Sequence, residues 1–403
     1  MFKKIFSIFR RPKFWKNATF DEVRVLYLAK MLRILAMNLS NGFVLMYIFK
    51  LGYGWNGVLA YLMAFYVLSI FWVFFGGYYN AKFGPKHGML LSNLLYIPML
   101  ISTVMAEKIG LPAIIASLAL QGASVSIYGL SYYIDFSKVK DVKKSGRQIS
   151  LMYVVEKTAS ALAPFIGGFL AMTFGVQSTM LISAAIFALS AIPLLATKEV
   201  MKPNIRLDFR GFPFKKHSRN FIAQSGNAAQ LLIFRLLGVF VPVYVLTNFN
   251  SYGVIGFLMS ASSIFAMVAA IIFGKAIDKK DGMKLLRATV FGRFVLNILR
   301  AIFIHNPIFM IFGDLINEIM AVGYMMSHQK GAFSDADRAE KRIEYFVIFE
   351  IAYMVMSIVL LVVATVIFLI FGAENGMRIF LILCAFVSLL CAVGKYPAYN
   401  SKK

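Results

Sequence analysis

The sequence predicts an all-α integral membrane protein with about twelve transmembrane helices in two pseudo-symmetric six-helix bundles. Apolar residues make up 60% of the 403 residues, and mean hydropathy is +0.74. Apolar runs of roughly 18 or more residues recur along the whole length, as membrane-spanning helices require. Backbone amides in lipid must bond within the protein, and runs of this length satisfy them as helices, which favours a bundle over a barrel. One pattern also occurs twice, half a chain apart: Gly76-Gly77-Tyr78-Tyr79-Asn80-Ala81-Lys82-Phe83-Gly84 and Gly274-Lys275-Ala276-Ile277-Asp278-Lys279-Lys280-Asp281-Gly282. In each, a glycine ends an apolar run, Asn or Asp follows four residues later, and a further glycine four later again. Each reads as a tight charged turn between two helices, and its repetition points to a duplicated bundle.

Two more stretches keep nearly the same offset. Gly146-Arg147-Gln148-Ile149 up to Glu156 aligns with Glu340-Lys341-Arg342-Ile343 up to Glu350, and Tyr47 to Gly57-Val58 aligns with Tyr244 to Gly253-Val254. In chain order, residues 1–24 form a basic tail in which Phe2, Phe6, Phe9, Phe14 and Trp15 alternate with Lys and Arg. Such a tail either lies on the anionic inner leaflet or simply sets orientation. The first bundle, 25–196, carries spans at about 25–49, 55–79, 88–106, 111–134, 149–173 and 177–196. A basic linker, 197–225, contains seven Lys and Arg with Pro203 and Pro213, the composition of a solvated connection. The second bundle, 226–394, carries spans at about 226–248, 252–275, 284–305, 307–327, 343–371 and 377–394, and a C-tail, 395–403, ends the chain.

The formal net charge of +24 would suggest nucleic acid in a soluble protein, but here it sits in short loops. With twelve spans, about 33 Lys and Arg fall on one side and about four on the other, which puts both termini in the cytoplasm of what reads as a bacterial inner membrane. No basic folded module stands outside the membrane, so nucleic acid is excluded as a partner. Cys384 and Cys391 both lie in the last apolar run and imply no disulfide framework. The four histidines show no metal-ligand spacing, and no cofactor is expected. No small-residue cleavage site follows the basic N-terminus.

Six spans, a basic linker and six more spans resemble the major facilitator superfamily (MFS). The family's motif between the second and third spans is matched by Gly77, Lys82, Gly84 and Lys86, with Asn80 beside Ala81 where the family's Asp stands. The second copy keeps the acid, Asp278, followed by Lys279, and closes at Gly282 after opening at Gly274. The resemblance implies that these residues gate the cytoplasmic side. Pro164-Phe165-Ile166-Gly167-Gly168 looks like the family's Pro-x-x-Gly-Gly stretch, richest in antiporters. Small residues there let helices approach closely, and Pro164, Gly167 and Gly168 permit bending. Gln121-Gly122 matches a motif of the fourth span, but Leu118 stands where the family has arginine.

Ionisable groups at membrane depth are costly and are functional candidates until explained. Lys30, Arg33 and Arg235 are expected to snorkel towards the cytoplasmic surface. Glu156 and Glu350 are read as equivalent groups, either gating by ion pairing or held in ordinary interfacial pairs. Asp314 and Glu318, four residues apart, share one helix face, with Glu318 near the midplane. Either they carry the coupling proton, or Arg293–Glu318 and Arg300–Asp314 are neutralising pairs. Asn38, Asn41, Gln121, Tyr128, Tyr132, Tyr244 and Asn248 are cavity candidates that would hydrogen-bond a substrate.

The expected function is secondary active transport of a small molecule by alternating access, with proton-coupled efflux of an amphipathic compound leading. Proton-coupled uptake of a sugar or organic acid stays open on the same fold. A lipid-modifying enzyme or a flippase is a remote alternative, since Asp335, Asp337, Glu340 and Glu344 are interleaved with cations. No phosphate-binding Gly-x-x-x-x-Gly-Lys-Ser/Thr loop is present, which excludes an ATP-driven pump within the chain.

Overall fold

The computed structural model describes residues 19–40, 45, 49–141, 144–195, 199, 201, 204–249, 252–277 and 282–400. Among these there is no β-strand. The helices are α1 (Thr19–Ser40), α2 (Gly54–Phe83), α3 (Pro85–Ile109), α4 (Leu111–Val139), α5 (Ser145–Leu195), α6 (Phe214–Phe249), α7 (Tyr252–Ala276), α8 (Gly282–Ile302), α9 (Pro307–Ala336), α10 (Arg342–Ser388) and a short α11 (Pro397–Asn400). Six helices among the described residues are long and apolar enough to cross a membrane. Tight junctions separate the first spans: Gly84 and Gly110, at φ of 98° and 76°, end α2 and α3 in backbone conformations that a side chain would strain.

Two long helices each carry two predicted spans. α5 has 51 residues and would be about 77 Å long if straight, more than twice the hydrocarbon thickness. Its partners on α1 show that it doubles back. Tyr27 donates to the Gln148 carbonyl and Asn38 to Ser160, so the first leg runs alongside α1 in the same direction. Ser183 then donates to the Ala36 carbonyl, and Ser190 accepts from Asn93, the partner of Arg33. The second leg therefore runs back against α1. In α10 the break is at Gly372, where φ 75° and ψ 175° interrupt the helix.

Some boundaries differ from the sequence reading. α1 begins at Thr19, inside the predicted tail, and α6 begins at Phe214, directly after Pro213, inside the predicted linker. The reason is burial: His217, Asn220 and Gln224 face the protein interior and find polar partners there. α9 likewise runs on to Ala336 because Asp335 is buried in the same network.

The bundles meet along two related seams. On one, a Cβ at Gly77 of α2 would lie 2.8 Å from Val347 of α10. On the other, a Cβ at Gly274 of α7 would collide with Ser150 of α5. Gly77 and Gly274 are 197 residues apart, as are Ser150 and Val347. Two contacts at the linker end show the same spacing. Phe136 meets Phe333 with ring centroids 5.4 Å apart, and Lys140 meets Asp337, 197 residues on. One pseudo-two-fold relation thus maps each seam onto the other, and its axis passes between these self-matched pairs. In this register Glu156 corresponds to Tyr353 and Glu350 to Tyr153, so the two glutamates are not equivalent, contrary to the alignment read from sequence.

Candidate functional site

A band of charge lies where the bundles face each other. Lys157 of α5 pairs with Glu318 of α9 at 2.5 Å, both side chains mostly buried. One residue earlier, Glu156 pairs with Lys30 of α1 inside the first bundle. The Lys30 ammonium also sits 3.9 Å from the centroid of the Tyr132 ring, and Tyr132 donates to Met152. Arg235 of α6 lies 4.8 Å over Phe65 and 5.4 Å from the Tyr66 ring on α2. Tyr66 and Tyr353 share a hydroxyl hydrogen bond of 2.7 Å across the same seam. Glu350 has no ion-pair or hydrogen-bond partner among the described residues. Neither Glu156 nor Glu350 therefore bridges the bundles as a gate.

Lys30, Arg33 and Arg235 do not snorkel. Arg33 is 2% exposed, donates to Asn93 at 2.5 Å and to Ser124 at 3.1 Å, and stacks 4.0 Å over Tyr128. Aromatic faces and neutral acceptors hold its charge in place of a carboxylate. The sequence placed it near the surface by counting residues, but α1 starts earlier and carries it deeper.

The two acids expected to act together are separated. Asp314 pairs with Arg300 of α8 at 2.6 Å, as one of the two sequence readings expects. Glu318 does not meet Arg293, which donates instead to Asn317. Its partner Lys157 was missed because it stands on another bundle, and helix spacing alone carries no inter-bundle distances.

Ionic contacts at the linker end do join the bundles. Lys140 donates to both oxygens of Asp337, at 3.0 and 2.8 Å, and Arg342 donates to Asp337 and to Ser137. Burial pushes the Lys140 ammonium pKa down, while Asp337 opposes that shift. The linker adds a clasp. The Asn204 and Ile205 amides bond the last carbonyls of α2, at Lys82 and Ala81. Three residues on, the Asp208 amide bonds Glu344, and Lys341 donates to Asp208 and to the Arg210 carbonyl. The Arg210 amide and the Lys341 ammonium hold the Asp208 carboxyl below the usual carboxylate range.

The repeated turns contribute packing more than charge. Asn80 accepts from Ser131 beside Gly88. Lys82 is exposed and lies over Phe83. Gly84 and the Lys86 amide meet the carboxylate of Glu199, which lies just before the clasp. Gly282 packs on Tyr399 of the C-terminal segment. Asp278 and Lys279 lie outside the described residues, as does Asn41. The same holds for the side chains of Pro164, Gly168, Tyr244 and Asn248. Gly167 packs against Leu39 of α1.

Among the cavity candidates, Asn38 bonds Ser160, and Gln121 accepts from Tyr61 at 2.6 Å. Both are helix–helix contacts in this state. Tyr128 and Tyr132 carry the cations Arg33 and Lys30 on their rings. A small cavity of about 10 Å³, room for one water, lies at the bundle interface. Its lining includes Tyr133 of α4, Asn227 of α6, Gln329 of α9, and Phe346 and Phe349 of α10. Asn227 Oδ1 and Gln329 Oε1 are buried there without a hydrogen-bond partner.

Comparison with known proteins agrees with this architecture. The Major Facilitator Superfamily family model matches residues 26–222, and no curated protein sequence matches the chain. Among solved structures, the human organic anion transporter MFSD10 shares the fold with a TM-score of 0.69 at 13% identity, over 93% of this chain and 100% of that one. The MFS transporter FucP in its outward conformation gives 0.68 at 14% identity, over 92% of this chain and 97% of that one. A variant of the E. coli fucose:proton symporter FucP gives 0.66 at 13% identity, over 93% and 98%. The Major Facilitator Superfamily model thus matches the first bundle and the linker, and nearly the whole chain shares its fold with solved structures of transporters of that superfamily.

Proposed function

We propose that the chain is a secondary transporter working by alternating access, and that it exports a small amphipathic compound in exchange for protons across a bacterial inner membrane, with both termini cytoplasmic. The observation that carries this reading is the Lys157–Glu318 pair, the interior ion pair that ties one bundle to the other. When the bundles rock about the substrate site, this pair has to part and re-form. An interior surface of tyrosines, phenylalanines and methionines around a few charges suits an amphipathic substrate. The basic end faces an anionic inner leaflet.

The fold is shared with a fucose:proton symporter and an organic anion transporter, and uptake of a sugar or organic acid is the second reading. Proteoliposomes with a pH dye inside separate the two. Amphipathic cations, sugars and organic acids are added in turn, and proton flux is followed with labelled compound. Opposed movement of an amphipathic cation and protons is the expected result. Parallel movement of a sugar or organic acid and protons replaces export with uptake, and transport without proton flux removes proton coupling.

A further inference from the structure

We infer that Glu350 carries the coupling proton; this rests on the proton-coupled reading above. α10 touches α2 of the other bundle through Val347, against Gly77, and through Tyr353, hydrogen-bonded to Tyr66. Glu350 lies three residues after the first contact and three before the second, on the same helix face. It therefore sits in the middle of a seam that opens and closes as the bundles rock.

Two other interior carboxylates are committed to cations, Glu156 to Lys30 and Glu318 to Lys157. Glu350 has neither an ion pair nor a side-chain hydrogen bond among the described residues. The titratable and charged groups facing this stretch include Tyr133 of α4, Tyr66 of α2, Arg235 of α6, His328 of α9, which stacks on Phe349 and bonds Gln224 and Tyr396, and Tyr353 of its own helix. The one cation among them, Arg235, rests on the Phe65 and Tyr66 rings. α8, which also packs on α10, directs Arg293 to Asn317 and Arg300 to Asp314, away from this stretch.

An uncompensated buried charge is costly, and a bound proton removes that cost. With the seam closed, the carboxyl holds its proton. When the seam parts, water reaches the carboxylate and the proton leaves to that side. The group is only partly buried, and the small cavity at the bundle interface is lined by Tyr133, Phe346 and Phe349 of the same stretch. The pseudo-symmetric position, 197 residues earlier, holds Tyr153, a buried phenol. One copy of the repeat has thus placed a carboxylic acid where the other keeps an aromatic ring.

The test uses the full chain in proteoliposomes with a pH dye inside, given ethidium, L-fucose and benzoate in turn. Glu350→Gln is expected to lose substrate-driven proton movement while keeping exchange of labelled compound at equal concentrations on both sides. Exchange needs rocking but no net proton transfer, so retained exchange separates loss of the carrier from loss of structure. Proton movement that persists in Glu350→Gln overturns the assignment alone. No proton movement in the wild type with any of the three, while labelled compound still crosses, overturns proton coupling and the assignment with it. Labelling of the wild type with dicyclohexylcarbodiimide, which attacks protonated carboxyls in apolar surroundings, needs neither a variant nor a substrate. An adduct mapped to Glu350 that grows as pH falls supports the assignment, and an adduct at Glu318 with none at Glu350 overturns it.

Discussion

Replacing Gly77 with alanine tests whether the seam between α2 and α10 is a moving part. The new methyl would lie 2.8 Å from Val347 Cγ2, well inside the 3.5–4.0 Å at which carbon atoms attract. Overpacking of this kind costs about 1–3 kcal/mol. Alanine also favours the helix over glycine by about 1 kcal/mol, but α2 remains a helix whether the seam is closed or open, so that gain cancels between the two states. What remains is a penalty on the closed seam alone, which shifts the population about 5- to 150-fold towards the open one. Spin labels at Lys82 and Arg338, both exposed at the linker end, would read this as a longer distance in pulsed electron resonance. Val347→Ala added to Gly77→Ala removes the obstructing methyl and should restore the original distance. Gly129→Ala, with open space around its Cβ, should leave the distance unchanged. A folded Gly77→Ala protein with the wild-type distance distribution would refute the rocking seam.

The Lys157–Glu318 pair is open to a double-mutant cycle. Each single change, Lys157→Met or Glu318→Gln, should lower thermal stability by about 1–3 kcal/mol, below the 3–5 kcal/mol of a fully buried pair because both side chains keep some exposure; the double variant should lose less than the sum, and simple additivity in melting curves would deny the pair. Arg33→Lys keeps the charge but loses the planar stacking on Tyr128 and the forked donors to Asn93 and Ser124, so it should cost about 1–3 kcal/mol in chemical denaturation; an unchanged midpoint would contradict the caged arginine. Gly372→Ala forces a side chain into φ 75°, ψ 175° and should cost about 1–3 kcal/mol, read as a lower melting temperature. For Asp208, a depressed folded-state pKa means that its stabilising effect is present above the ordinary carboxylate pKa and is lost as pH falls through the folded value. Melting curves of wild type and Asp208→Asn should therefore differ at neutral pH and converge in acid.

The fold was largely legible because it rests on local signals. Apolar length sets the spans, and the glycine turns Gly76–Gly84 and Gly274–Gly282 carry the duplication in the sequence itself. Two glycines of these turns, Gly77 and Gly274, pack tightly against the opposite bundle, as small residues at helix crossings do. The site was legible only in part, because it depends on how each helix is rotated and which bundle it faces. Glu318 was legible by its depth, but its partner Lys157 stands on the other bundle, which spacing along one helix does not reach. Arg33 read as a surface cation, since no sequence rule anticipates a cage of tyrosine and asparagine. The helical start of α6 read as linker, since a buried polar network looks the same as a solvated loop in composition.

The contacts on the pseudo-two-fold axis bear on how the two halves are matched. An axis of this kind sets each residue against its own counterpart, so in two identical halves every axial contact joins a residue to itself. Phe136 against Phe333 obeys that rule, since like rings pack well. Lys140 against Asp337 breaks it, since no side chain is its own counter-ion. Two copies of the N-terminal half in this arrangement would bring lysine against lysine, and two copies of the C-terminal half aspartate against aspartate. Each half therefore carries an electrostatic mark that accepts the other half and repels its own likeness, and the fused chain is a heterodimer written in one polypeptide.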